Sequence, residues 1–73
     1  MYTLREARES RGIKQKAIAD AIGVTRQTYA KYEDNPRLMP IGKAEDACAF
    51  MRFDISDIFF GDGGSLTNGK EAD

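Results

Sequence analysis

At 73 residues, with a formal net charge of −1, one cysteine and no histidine, the chain is one small domain near the lower size at which a hydrophobic core holds without help. A lone Cys48 excludes an intrachain disulfide and makes a reducing, cytoplasmic setting the default, while the lack of histidine closes the usual Cys/His metal site and histidine acid–base chemistry, so no cofactor is expected. No apolar run approaches the ~20 residues that span a bilayer, and the opening Met1-Tyr2-Thr3-Leu4-Arg5-Glu6 has no signal-peptide character, so neither a membrane nor export by that route is expected.

Thr3 followed by Glu6 is a capping box and predicts a first helix from Leu4 to about Arg11, stopped at Gly12. Leu4, Ala7 and Arg8 would face inward, with Arg5 and Glu9 a weak exposed pair. Ile13 closes the corner, and Lys14 opens a second helix with a cation at the positive end of its dipole, where a helix would rather have a capping oxygen. The exposed N–H groups of that helix start suit an anion, which makes Lys14 and Gln15 candidates to sit over a phosphate. Ala17, Ile18, Ala21 and Ile22 are spaced to lie on one helical face. Gly23 fits a left-handed stop, and Thr25 fits an N-cap whose hydroxyl accepts from the backbone N–H of Gln27 or Thr28.

A third helix then turns Tyr29 and Tyr32 inward, with Val24 filling the angle between the two helices. Its outer side keeps Arg26, Gln27, Thr28 and Lys31. Arg presents a fork that matches guanine O6 and N7, Gln pairs with adenine N6 and N7, Thr offers a methyl to thymine, and Lys reaches guanine or phosphate. These four non-acidic side chains suit a major groove. Thr28 has a second reading, as a residue that serves the helix end.

Asp34 to Pro40 reads as a loop in which Asn35 is suited to the left-handed conformation. Pro40 opens a fourth helix, along which Ile41, Ala44, Ala47, Cys48 and Met51 recur at helical spacing, so Cys48 reads as a small buried hydrophobe. Lys43, in its first turn, is a candidate for a flanking phosphate. Asp54 with Asp57 predicts a cap for a short fifth helix carrying Ile55, Ile58, Phe59 and Phe60. Together with Phe50 and Phe53 these are more apolar side chains than so small a domain hides easily, which predicts an exposed patch. The segment 61–73, with four glycines and no periodicity, is expected to be a disordered tail behind a domain of residues 1–60.

The run from Gln15 to Glu33 resembles the lambda repressor and Cro type (Xre-like) helix-turn-helix DNA-binding domains. Carrying the match are Gln15 at the head of the second helix, the Ala17, Gly23 and Val24 core of the turn, the run Thr25-Arg26-Gln27-Thr28, and Tyr32-Glu33 closing the third helix. The likeness extends over roughly residues 3 to 60. It implies an all-α bundle of five short helices with the helix-turn-helix formed by helices 2 and 3. It further implies that Arg8 pairs with Glu33 as a structural tie, and that Gln15 touches phosphate and braces Arg26. The loop after the third helix, basic in such domains, has only Arg37 here to grip the backbone. Paired half-sites imply a homodimer, for which Ile58, Phe59 and Phe60 are the predicted contact; packing on the first helix or docking of another protein are the alternatives.

Charge supports that picture once the chain is divided. Residues 1–43 hold nine Lys or Arg against five acids, and residues 44–73 hold two against seven. A basic face for DNA and an acidic rear follow. The first functional reading is therefore a transcriptional regulator, a repressor of the phage or mobile-element kind, that covers an operator on double-stranded DNA without a small-molecule ligand. The second is a protein-interaction module on the same scaffold, such as an antitoxin, an anti-repressor or an accessory factor. An enzyme is not expected, since no nucleophile–base pair or phosphate-cradling glycine loop is present.

Overall fold

The computed structural model describes residues 1–60. Among them the order is a two-residue strand β1 (Tyr2–Thr3), helices α1 (Leu4–Ser10), α2 (Gln15–Ile22), α3 (Arg26–Asp34) and α4 (Ile41–Met51), and a second short strand β2 (Ile58–Phe59). Single turns of 3-10 helix occupy Pro36–Leu38 and Ile55–Asp57. The predicted tail 61–73 lies outside the described residues.

Local chemistry sets the ends of these elements. At α1 the capping box is complete: Glu6 N–H donates to Thr3 Oγ1 and Thr3 N–H donates to Glu6 Oε1, both at 3.0 Å. Lys14 at the head of α2 contributes no side-chain cap. Three helices end in the same way, with a residue at positive φ and a backbone bond reaching back from the residue after it. These are Gly12 (Ile13 N to Arg8 O, 3.2 Å), Gly23 (Val24 N to Ala19 O, 3.0 Å) and Arg52 (Phe53 N to Cys48 O, 3.0 Å).

The core gathers Leu4 and Ala7 of α1, Ile18, Ala19 and Ile22 of α2, Tyr29 of α3, and Ala44, Ala47, Cys48 and Met51 of α4. On α2 the buried face differs from the expected one. Ala17 and Ala21 are exposed, and Ala19 takes the place in the core beside Ile18 and Ile22. The helix is rotated because Gln15, at the i−3 and i−4 positions from Ile18 and Ala19, is itself drawn inward by a buried carboxylate. Ile41, half exposed, also lies off the buried stripe of α4.

Among the described residues no fifth α-helix forms. The segment from Asp54 closes one 3-10 turn, with Asp57 N–H to Asp54 O at 2.9 Å, and the Asp54 side chain makes no capping bond. Ile58 then goes extended and pairs in parallel with β1, Tyr2 opposite Ile58 and Thr3 opposite Phe59. A branched residue followed by two aromatics favours a strand, and so short a segment would bear the cost of helix nucleation for few bonds. The pairing alters the expected dimer contact as well: Ile58 and Phe60 are buried in the chain's own core, leaving Phe59 exposed. Asn35 is not left-handed either, with φ −144° and ψ 84°, since Pro36 restricts the residue before it to extended backbone. No helix of the described residues is long and apolar enough to cross a membrane.

Candidate nucleic-acid interface

α2 and α3 meet across the turn Gly23-Val24-Thr25. Gly23 stands at φ 80°, a conformation that any side chain would strain. Val24 packs on the core, and Thr25 Oγ1 accepts from Thr28 N–H at 3.1 Å to start α3. The turn is braced from outside by Lys43, whose Nζ donates to the last carbonyl of α2, Ile22 O, at 2.7 Å, placing a cation at the negative end of the helix dipole.

On α3, Arg26, Gln27 and Lys31 are exposed. Gln27 and Lys31, one turn apart, share a strip on the side opposite the buried Tyr29. Thr28 is half-buried and its hydroxyl accepts from Thr25 Oγ1 at 3.0 Å, so it serves the helix end as well as bordering the outer face. Arg26 NH1 donates to Gln15 Oε1 at 3.0 Å, joining the first residue of α3 to the first of α2. Lys14 is exposed beside them, while Arg37 is half-buried on the 3-10 turn that follows α3.

Beneath this surface, the Glu33 side chain is fully covered yet surrounded by donors. Arg8 Nε donates to its Oε2, while Gln15 Nε2 (3.0 Å) and Arg5 Nε (3.2 Å) donate to its Oε1. Arg8 NH1 also reaches Ile13 O at 2.8 Å, and thereby holds the α1–α2 corner. Burial alone would push the Glu33 carboxyl up, but the hydrogen bonds from Arg8, Gln15 and Arg5 outweigh it and hold the group below the usual carboxylate range. The hydrogen bond to Glu33 likewise raises the Arg8 guanidinium above its ordinary value against the effect of burial. The Tyr29 hydroxyl, buried in the same cluster, is pushed far up by burial and by the carboxylate, so it stays protonated.

Arg5 is the member of this cluster that sequence reasoning missed. Its expected exposed pairing with Glu9 is replaced by contacts with Glu33 and Asp34 across the α1–α3 gap, and Glu9 instead lies 3.7 Å from Arg8 NH2. Nothing in spacing alone signals a contact between residues so far apart in sequence. Among the described residues no group of His, Cys, Asp or Glu side chains is arranged to hold a metal ion. Burial, with Asp54 and Asp57 nearby, pushes the Cys48 thiol up to about 11, so it is a protonated core group.

A family model described as Helix-turn-helix matches residues 4–58. The chain is also similar to the SPbeta prophage-derived uncharacterized HTH-type transcriptional regulator YonR of Bacillus subtilis (strain 168), at 48% identity over 42 residues. That match covers 58% of this chain and 32% of the relative, so the chain spans well under two thirds of the relative's length. No solved structure matches significantly. With the family match running from the first residue of α1 into β2, the chain belongs to the lambda repressor-like helix-turn-helix family.

Proposed function

We propose that the protein is a sequence-specific, cytoplasmic DNA-binding regulator of transcription, acting as a repressor by covering an operator. In this reading α2 and α3 are the helix-turn-helix and α3 lies in the major groove. Arg26, Gln27 and Lys31 read base edges, Thr28 contributes its methyl at the rim, and Lys14, Gln15 and Arg37 meet phosphate. Lys43 adds its charge to the flank while holding the end of α2. The observation that carries the proposal is the exposed run Arg26, Gln27 and Lys31 on the first two turns of α3, with no acid on that side before Asp34 at the helix end, headed by an arginine already braced by the neighbouring helix. The similarity to a Bacillus protein named as an HTH-type transcriptional regulator supports it.

Two copies would occupy paired half-sites about one helical turn apart. The predicted homodimer contact is reduced to Phe59, with Tyr2 exposed on the neighbouring strand. Selection of bound sequences from random DNA is the direct test. A defined consensus is expected, with Arg26→Ala costing ~1 to 3 kcal/mol and relaxing preference at one base pair. Equal loss on every sequence would show that Arg26 reads no base.

A second reading, a protein-interaction module, is favoured by the exposed aromatics Tyr2, Phe50 and Phe59 and by the acid-rich second half of the chain. Protein that retards no DNA at low salt but co-purifies with a partner lost on Phe59→Ala would decide for it.

A further inference from the structure

We infer that Glu33, which lies behind the DNA-facing side of the molecule, governs base reading by Arg26 through its grip on the Gln15 amide; the inference rests on the DNA-reading role proposed above. A glutamine amide has a donor end and an acceptor end of nearly the same shape, and a free glutamine presents either one. Gln15 has no such choice. The Glu33 carboxylate is fully covered and ion-paired with Arg8 and Arg5, so it only accepts, and it takes the Nε2 end of Gln15 at 3.0 Å.

The acceptor end, Oε1, is thereby turned to Arg26, whose NH1 donates to it at 3.0 Å. Reversing the amide would set its oxygen against a carboxylate and its NH2 against a guanidinium, replacing two charge-assisted hydrogen bonds with two repulsive contacts. The guanidinium has five N–H donors, so one bond to Gln15 leaves a fork for guanine O6 and N7. An exposed arginine otherwise loses rotamer freedom when it docks; here part of that loss has already occurred in the free protein. Glu33 is thus a positioning residue for specificity, two hydrogen bonds removed from the Arg26 guanidinium.

The test starts from the site that wild-type protein selects and the base pair that Arg26→Ala identifies. Gln15→Leu is expected to weaken binding to that site roughly 3- to 10-fold and to relax preference at that same pair, with Arg26→Ala/Gln15→Leu relaxing it no further than Arg26→Ala. Loss of affinity shared equally by all sequences would reduce Gln15 to a phosphate contact and overturn the inference while leaving the DNA-reading function intact. Wild-type protein with no sequence preference would overturn both.

Glu33→Gln, measured where circular dichroism shows it folded, is expected to relax the same base pair; unchanged preference there would overturn the role of Glu33. Because that variant also disrupts a buried ion pair and can unfold, the Gln15 side-chain NH2 resonances of free wild-type protein give a second reading. Protection of those protons from solvent exchange supports the tether, and exchange at the rate of a free glutamine overturns it.

Discussion

Glu33 receives hydrogen bonds from α1 through Arg8 and Arg5 and from α2 through Gln15, so one side chain on α3 ties three helices. Removing it leaves the nearly covered Arg8 guanidinium with only the exposed Glu9, 3.7 Å away, and the Ile13 carbonyl as partners, and taking one member out of a buried ion pair typically costs about 3 to 5 kcal/mol. A domain of 73 residues holds roughly 4 to 11 kcal/mol in all, at about 0.05 to 0.15 kcal/mol per residue, so the loss is a large fraction of it. Glu33→Ala is therefore expected to unfold at a much lower urea midpoint than the wild type, whereas Arg8→Met/Glu33→Met, with both charges gone, unfolds at a higher midpoint than Glu33→Ala. The same carboxyl sets an acid limit. Its pKa is depressed in the folded state, so its contribution is fully present above the ordinary glutamate value of 4.5 and is lost as pH falls through the lower folded value. Urea midpoints followed from pH 6 to pH 3 should fall most steeply below that value. A flat profile would mean that the carboxylate contributes nothing net.

At the scale of single elements, α1, α2 and α4 close with the same left-handed device, and α4 does so with Arg52 at φ 63° where the other two have glycine. A non-glycine residue there carries roughly 1 to 2 kcal/mol of backbone strain, offset in part by its smaller loss of freedom on folding. Arg52→Gly is expected to gain about 0.5 to 1 kcal/mol, raising the melting temperature by a few degrees in calorimetry. Helix ends of this kind were legible in the sequence because their causes are local: Thr3 with Glu6, Gly12, Gly23 and Thr25 each act within a few residues of themselves. The rotation of α2, the reach of Arg5 and the fate of Asp54–Phe60 were not. Each depends on a partner far along the chain: Glu33 for Gln15 and Arg5, and Tyr2–Thr3 for Ile58–Phe59. Polar Gln15 gave no periodic sign that it belonged on an inner face, and a capping pattern before Ile55 predicts a helix unless a waiting strand is known.

For the molecule as a whole, charge is divided along the chain, with the excess of Lys and Arg in residues 1–43. Association with DNA as proposed would release counterions from each neutralised phosphate. A dimer touching ~8 phosphates gives a log–log salt slope of about −7, and Lys14→Ala should make it shallower by about 2 per dimer. A slope unaffected by Lys14→Ala would remove that side chain from the interface.

The pairing of Tyr2 with Ile58 also bears on chain connectivity. Adjacent strands lie about 4.8 Å apart, but the two run in parallel, so the start of one and the finish of the other are separated by little more than their own length. A few flexible residues from Phe60 to Tyr2 would therefore join them. New ends opened beside the exposed Leu38 would give a circularly permuted protein that is expected to keep the helical spectrum of the original, because the covalent order of the helices matters less here than their hydrogen-bonded closure.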